Sequence, residues 1–311
     1  MRFNPKARLD TSRVGDAGRG SGGGGRGGGM SLPGGVAGGG GVIGTIIVIV
    51  FIAIQVFSDN GGGGVGGVGN GAGGGLDASR LSDSERYASC KTGADADKSP
   101  DCARVAVENS LRDFWGDTIQ DFRPADRIVT FTGSISTGCG GADSSVGPFY
   151  CPSDERIYLD SEFFDDVLER QLGGPDGGFV EPYVLAHEYG HHISNLLGTM
   201  TNVTGDTGPQ SSGVRLELQA DCFAGMWARA ATSTEDADGN VLFAELTQDD
   251  IDLALEAAAS VGDDRIQKKT QGQVNEESWT HGSAANRQKW FKIGYDQGSV
   301  DACDTFSVAK V

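Results

Sequence analysis

Three of the four histidines of this 311-residue chain lie within the segment LAHEYGHHISNLLG. His187, Glu188 and His191 form the pattern H-E-x-x-H. Residues four apart share one face of a helix, so both imidazoles can bind the same metal ion. Glu188 lies one position further on, where its carboxylate can hold a water beside the metal rather than bind the metal. His192 faces another direction, and we expect it to support the site or the fold.

A second pair of polar side chains follows in RLELQADCFAGMWA, where Glu217 and Asp221 are again four residues apart. We expect Glu217 to be the third metal ligand. Three protein ligands leave one position of a tetrahedral zinc ion open, as catalysis requires. Asp221, one helical turn later, can accept the other ring N–H of a ligand histidine and fix its tautomer. The two pairs together predict one Zn²⁺ per chain, held between two helices.

The simplest alternative is that these side chains have only a structural role. H-E-x-x-H would then be a helix with hydrogen-bonded core histidines, and Glu217 and Asp221 would be solvated acids on an exposed face. Both segments are otherwise apolar, with YVLA before the histidines and ISNLL after them. Because unpaired polar groups are costly in apolar surroundings, this pattern favours a metal site.

The elements that must position these residues are mostly helical. Apolar spacing and capping signals predict helices over 101–115, 161–172, 179–197, 214–231, 247–260 and 283–295. Ser161 and Thr247 are the expected caps, and Gly198 is expected to end the histidine-bearing helix. Strands are predicted over 127–131 and 156–160. The fold class is therefore α+β, mainly α-helical with a short strand region.

Glycine is concentrated at the start of the chain, where 28 of the 51 glycines precede Leu76. Runs such as GGGGRGGG bury too little apolar surface to offset the entropy lost on ordering, so they predict flexible linkers. Between two such runs lies VIGTIIVIVFIAIQVF, residues 42–57, which contains no charge. A helix of this length spans roughly 24 Å, slightly less than a hydrocarbon core of about 30 Å.

We interpret residues 42–57 as a single transmembrane helix, because the flanking linkers provide no core to bury it. The alternatives are a buried core helix and a cleaved signal peptide, although no convincing small-x-small cleavage site follows Phe57. The predicted organisation is a basic, glycine-rich disordered tail over 1–41, the membrane helix over 42–57, a glycine-rich linker over 58–80 and a folded domain over 81–311.

The charge distribution suggests a membrane topology. Six basic and two acidic residues precede Val42, whereas 19 basic and 41 acidic residues follow it. The positive-inside bias then places the N-terminus in the cytoplasm and the domain outside the cytoplasmic membrane, as a single-pass protein. The acidic domain argues against a nucleic-acid partner, since phosphate binding requires basic patches.

All six cysteines lie in the predicted domain: Cys90, Cys102, Cys139, Cys151, Cys222 and Cys303. An even number on the exported side of a membrane predicts three disulfides, although six cysteines allow fifteen pairings. Pairing of nearest neighbours would give 90–102, 139–151 and 222–303. Zinc binding by cysteine is the alternative, but the chain lacks a C-x2-C pair.

These motifs support a family resemblance. The segments GPFYCPSDERIYLD, VLAHEYGHHISNLLG, ELQADCFAGMWA and THGSAANRQKWFKIGY resemble the bacterial family of putative neutral zinc metallopeptidases, over most of residues 129–306. Its members resemble membrane-anchored gluzincins, which share the E-x-x-x-D arrangement, and a zincin-like fold is expected. The resemblance implies zinc on His187, His191 and Glu217, with Glu188 as catalytic base. The resemblance implies metal-dependent peptide hydrolysis but does not identify the natural substrate.

The expected reaction is hydrolysis of a peptide bond in a peptide or protein substrate. Zinc lowers the pKa of its water toward about 7. Glu188 would take the proton and pass it to the leaving amine. The developing oxyanion needs another donor, for which His281 is the first candidate and Tyr150 a weaker one. His281 could instead be a cap or packing residue before the last helix.

Two other functions remain open from the sequence. The chain could be an exported, zinc-bound scaffold or chaperone without turnover, although an intact Glu188 argues against lost activity. It could also be a zinc amidase that acts on cell-wall cross-links rather than on peptides.

Overall fold

The computed structural model describes residues 1–19, 76–77, 85–143, 146–175, 177–236 and 238–311. The helices are α1 Gly93–Ala96, α2 Pro100–Thr118, α3 Phe164–Leu172, α4 Val180–Leu196, α5 Ser212–Ala230, α6 Gln248–Ser260, α7 Asp263–Gln271 and α8 Ala284–Gln297. The strands are β1 Arg2–Phe3, β2 Val14–Arg19, β3 Leu76–Asp77, β4 Arg127–Thr132, β5 Ser134–Thr137, β6 Gly140–Asp143, β7 Phe149–Cys151, β8 Arg156–Asp160 and β9 Phe243–Glu245. The predicted α+β class is confirmed.

The main sheet has four strands in the order β2-β4-β8-β7. Strand β4 pairs in parallel with both β2 and β8, and β7 pairs antiparallel with β8. The segments RIVTFT of β4 and RIYLD of β8 are rich in β-branched and aromatic residues, which suit a pleated surface with buried neighbours. Strand β7 lies against α4, so the sheet supports the helix that carries H-E-x-x-H.

Close helix packing depends on three glycines. A Cβ on Gly190 of α4 would lie 2.9 Å from the backbone of Ala220 on α5. A Cβ on Gly225 would lie 2.0 Å from the Phe291 carbonyl oxygen, and one on Gly294 would lie 1.8 Å from that of Cys222. Only glycine allows backbones to approach so closely. These contacts hold α5 between α4 and α8.

Of the three capping or terminating residues predicted from the sequence, two are confirmed and one is wrong. Gly198 has φ +76°, the left-handed conformation in which glycine ends a helix, and Thr247 caps α6 in a reciprocal pair with Asp250. Ser161 does not cap a helix. Its hydroxyl instead hydrogen-bonds Thr132 at 2.9 Å, and α3 begins only at Phe164.

The prediction of a disordered tail over residues 1–41 is wrong for residues 1–19. These residues contain β1 and β2, and they bury Phe3, Ala7 and Val14 in the core. Sequence reasoning grouped them with the glycine runs that follow, although residues 1–14 contain no glycine and carry apolar side chains. The proposed membrane segment, 42–57, lies outside the described residues. Within the described ranges, no helix is long and apolar enough to cross a membrane.

Three disulfides join nearest-neighbour cysteines, as predicted: Cys90–Cys102, Cys139–Cys151 and Cys222–Cys303. The first two span 12 residues each, whereas the third spans 81 and ties the C-terminal segment to α5. The Cys222 and Cys303 side chains are fully buried.

We expect the double substitution Cys222→Ala/Cys303→Ala to destabilise the fold more than Cys139→Ala/Cys151→Ala. In the chain-entropy model, closing the longer loop contributes roughly 4.5 kcal/mol and the shorter about 3 kcal/mol. Removing buried sulfur atoms also leaves a cavity, which adds to the loss at the longer-loop pair. Urea unfolding without reductant measures both free energies. Equal losses would show that the C-terminal tie contributes nothing beyond a local loop.

Candidate active site

Helices α4 and α5 bring His187, His191 and Glu217 together. His187 Nε2 lies 3.3 Å from Glu217 Oε2, and His191 Nε2 lies 3.4 Å from Glu217 Oε1. One ligand atom from each residue lies within 4.8 Å of the others, and all three side chains are buried. The close approach of α4 to α5 at Gly190 makes this distance possible.

These donors fit a zinc ion. A tetrahedral zinc ion with bonds of about 2.0–2.1 Å holds its ligand atoms roughly 3.3–3.4 Å apart, which matches both nitrogen–oxygen distances. Two imidazoles and one carboxylate are also a donor set found in catalytic zinc sites. His187, His191 and Glu217 would therefore hold the metal.

Asp221 lies behind His187, and the His187 Nδ1–Asp221 Oδ1 distance is 2.8 Å, which is the contact expected from the sequence. Asp221 is fully buried. It also accepts a hydrogen bond from the Tyr183 hydroxyl at 2.7 Å and two from Arg287, at 2.8 and 3.0 Å. This network fixes the His187 ring so that Nε2 points toward Glu217. By contrast, the buried His191 Nδ1 has no hydrogen-bond partner among the described residues.

The contacts within this network stabilise the charged forms of Asp221 and His187, although both side chains are buried. Burial alone would raise the pKa of Asp221, but Arg287 and His187 outweigh it and lower this pKa to about 2. Burial likewise acts to lower the pKa of His187, but Asp221 and Glu217 raise it to about 10. A metal must displace the ring proton to bind, so acid conditions oppose metal binding at these residues.

Glu188 lies beside the three donors without joining them. Its side chain is buried, and its Oε2 atom has no hydrogen-bond partner among the described residues. Burial raises the pKa of Glu188, while the nearby charges of His191 and His187 oppose the rise. The Tyr150 backbone N–H, on β7, donates a hydrogen bond to Glu188. A buried carboxylate with one uncommitted oxygen next to a metal site is suited to hold and deprotonate a water.

His281 lines the same cavity as His187, Glu188, His191 and Glu217. Asp263, the first residue of α7, holds the loop that carries it. Asp263 Oδ2 accepts three backbone N–H groups from residues 280–282, at 2.7–2.9 Å, and Asp263 Oδ1 lies 3.4 Å from His281 Nδ1. With Nδ1 engaged, Nε2 is the His281 nitrogen available to the cavity. Burial opposes protonation of His281, but Asp263 and Glu217 raise its pKa above the ordinary value.

His192 and Tyr150 form structural hydrogen bonds with each other and with neighbouring residues, and neither is among the metal donors. His192 Nε2 donates to the Arg123 carbonyl oxygen at 2.9 Å, and its Nδ1 lies 3.0 Å from the Tyr150 hydroxyl. Asn195 also donates to that hydroxyl, at 3.0 Å. Because the Tyr150 hydroxyl is engaged by these two partners, it is a poor candidate for the oxyanion donor.

The cavity over the metal donors has a volume of about 90 Å³. Part of its lining consists of the polar side chains described above. The apolar part, here called the apolar wall, includes Val146, Phe163, Leu168, Leu172, Val184, Ala257 and Val261. Such a cavity can accept one apolar side chain beside the site of reaction.

Sequence reasoning missed Tyr183, Arg287 and Asp263. Tyr183 lies four residues before His187, so helical spacing could have placed it on the metal face. Arg287 lies three and four positions before the buried Trp290 and Phe291, and an arginine on a buried face implies a buried acid. Nothing in the local sequence around Asp263 indicates that it holds a loop 17–19 residues away.

Two imidazoles from H-E-x-x-H, a glutamate from the next helix and an aspartate one turn later define a zinc-metallopeptidase type of site. The chain belongs to the family described as "Putative neutral zinc metallopeptidase", whose model matches residues 1–306. The family resemblance predicted from the motifs is thus confirmed, and zinc and a peptidase class follow at the level of the family.

The chain is also similar to individual bacterial proteins. It is 51% identical over 223 residues to an uncharacterized protein of Mycobacterium tuberculosis, covering 71% of this chain and 75% of that protein. It is 38% identical over 206 residues to the uncharacterized protein YpfJ of Escherichia coli, covering 63% of this chain and 68% of that protein. No solved structure matches the chain.

Proposed function

We propose that this protein is a zinc-dependent peptidase that hydrolyses peptide bonds, with Glu188 as general base. The observation that carries the proposal is the buried Glu188 carboxylate beside a donor set with zinc spacing, in a cavity wide enough for one side chain. A scaffold or chaperone without turnover needs the metal donors but has no use for a buried carboxylate beside them with one oxygen left without a hydrogen-bond partner.

Each residue then has a distinct task. When bound, zinc would polarise the substrate carbonyl and increase the acidity of a water molecule. Glu188 takes a proton from the attacking water and delivers it to the leaving amine. His281, oriented by Asp263, donates a hydrogen bond to the oxygen that gains negative charge. Asp221 and Arg287 keep the His187 ring in one tautomer and one orientation.

The apolar wall supports a preference for aliphatic side chains next to the scissile bond. The apolar wall is formed by aliphatic side chains apart from Phe163, and the cavity of about 90 Å³ can accept one small apolar side chain.

We expect Ala257→Leu to lower kcat/KM for a peptide with leucine in this position about 10–100-fold relative to the same peptide with alanine, because a few methylene groups in an apolar pocket are worth that much discrimination. The matched control is Glu256→Leu, which adds the same side chain at the preceding, exposed position of α6. Competition kinetics with the two peptides measures the ratio. An unchanged ratio in Ala257→Leu would exclude this wall from substrate binding.

A mixed peptide library incubated with the purified protein, with and without a chelator, tests the proposed function. Cleavage that stops with chelator and returns with zinc is expected. A second arm uses cell-wall fragments. Hydrolysis of their cross-links without peptide cleavage would make the protein an amidase, and metal binding without any hydrolysis would leave the scaffold alternative.

We also propose that the domain lies outside the cytoplasmic membrane and meets its substrate there. The three disulfides support this location, because such bonds persist in oxidising compartments and are rare in the cytosol. The proposed membrane segment lies outside the described residues.

A further inference from the structure

The first 19 residues, here called the N-terminal arm, pair with the main sheet of the domain. Strand β2 of the arm lies parallel to β4, with Val14 opposite Ile128 and Gly15 opposite Val129. Asp10 and Asn109 of α2 form two reciprocal hydrogen bonds, at 2.8 and 2.9 Å. The arm contributes backbone groups to these bonds. The docking therefore depends on the backbone conformation of the arm as well as on its side chains.

The arm is also anchored in the hydrophobic core. Phe3 is 1% exposed, and its ring centroid lies 4.8 Å from that of Phe243. A Cβ on Gly93 of α1 would lie only 1.9 Å from the Asn4 carbonyl oxygen, so glycine at position 93 makes room for the arm. Burial of this ring stabilises the docked arm, because apolar surface is removed from water.

The arm contacts one helix that lines the active-site cavity and joins the sheet that supports another. Its strand β2 pairs with β4 at one edge of the main sheet, and the Tyr150 backbone of β7, at the other edge, donates to Glu188. The Met1 amino group lies 2.7 Å from Asp250 in the first turn of α6, the helix that carries Ala257 into the cavity wall. The family match also includes the arm. The arm is therefore part of the catalytic fold.

Two of the five basic residues of the arm pair with acids of the domain. Arg2 lies 3.5 Å from Glu245, and Arg19 lies 2.7 Å from Glu162. Arg13 donates to the Ala125 carbonyl oxygen at 3.2 Å. The surplus of positive charge that suggested a cytoplasmic N-terminus thus has a second explanation: it complements the acidic domain.

We infer that the arm and the metallopeptidase domain lie on the same side of the membrane. A chain that crossed the membrane once between residues 19 and 85 would separate strands that are hydrogen-bonded to each other. The single-pass topology with a cytoplasmic N-terminus and an external domain is incompatible with this fold. The inference does not depend on the proposed activity.

Arg2 and Glu245 offer a matched pair of positions for testing topology. They are partners across β1 and β9, and their side chains are similarly exposed, at 58% and 55%. All six native cysteines are paired in disulfides. Full-length Arg2→Cys and Glu245→Cys variants, each carrying one added thiol, would be treated with a membrane-impermeant maleimide in intact spheroplasts. Labelling after detergent treatment gives the total for each thiol.

We expect both thiols to be labelled to the same fraction of their totals. Equal labelling places the arm and the domain outside, as proposed above. Equal protection would place both the arm and the domain inside. It would overturn the proposed external location but agree with the inference that they lie on the same side of the membrane. Labelling of one thiol and protection of the other would overturn the inference. In the Arg2→Cys/Glu245→Cys variant, a disulfide between the two thiols, or their joining by a short bismaleimide, would show docking directly, and the absence of both cross-links would contradict the docked arm.

Discussion

Glu188→Gln should fold, bind zinc with unchanged stoichiometry and lose nearly all peptide hydrolysis. Glutamine keeps the shape of the side chain and can still accept the hydrogen bond from the Tyr150 backbone, but it cannot take a proton from water. General-base catalysis typically contributes about 10²–10⁴-fold, and the loss is expected at least in this range because Glu188 also returns the proton to the leaving amine.

The measurements are metal content, melting temperature and chelator-sensitive cleavage of one peptide. Glu108→Gln is the matched control, because Glu108 is also a buried glutamate, 2% exposed against 6% for Glu188, but it lies on α2 and hydrogen-bonds Asn109. The control should keep most of its activity. Cleavage at the wild-type rate in Glu188→Gln would rule out the proposed mechanism even with zinc bound.

Glu217→Ala should lose zinc, whereas Asp221→Asn should bind it more weakly. Glu217 supplies one of the three protein donors, and a site with two imidazoles alone is incomplete. Asparagine at position 221 can still accept the His187 N–H but has no charge, and loss of such a supporting partner typically lowers metal affinity about 10–100-fold. Metal content after dialysis against a competing chelator distinguishes the two variants.

The choice of asparagine follows from the buried ion pair. Asp221→Ala would leave Arg287 buried without its carboxylate, and removing one partner of a buried pair costs about 3–5 kcal/mol of stability. Unfolding would then obscure the effect on the metal. Full zinc occupancy in a folded Glu217→Ala variant would mean that the third ligand is another residue.

The metal donors and their helices were predictable from sequence because their spacing is local. Residues four apart on a helix share a face whatever surrounds the helix, so His187 with His191 and Glu217 with Asp221 could be paired without a structure. The same locality explains the success of the Thr247 cap and the Gly198 helix end. The disulfides followed nearest-neighbour order. Two of them close loops of 12 residues, which cost little closure entropy, and the third joins the two cysteines that remain.

The tertiary structure decided everything that depends on contacts between distant residues. It placed Arg287 against Asp221, 66 positions away, and Asp263 against the loop of His281. It also placed the N-terminal arm in the sheet, although the glycine runs that follow the arm suggested disorder. No local pattern encodes these contacts, because they depend on which surfaces meet when the chain is compact. The sequence alone therefore determined the type of chemistry, and the fold determined which buried partners hold the reacting groups in place.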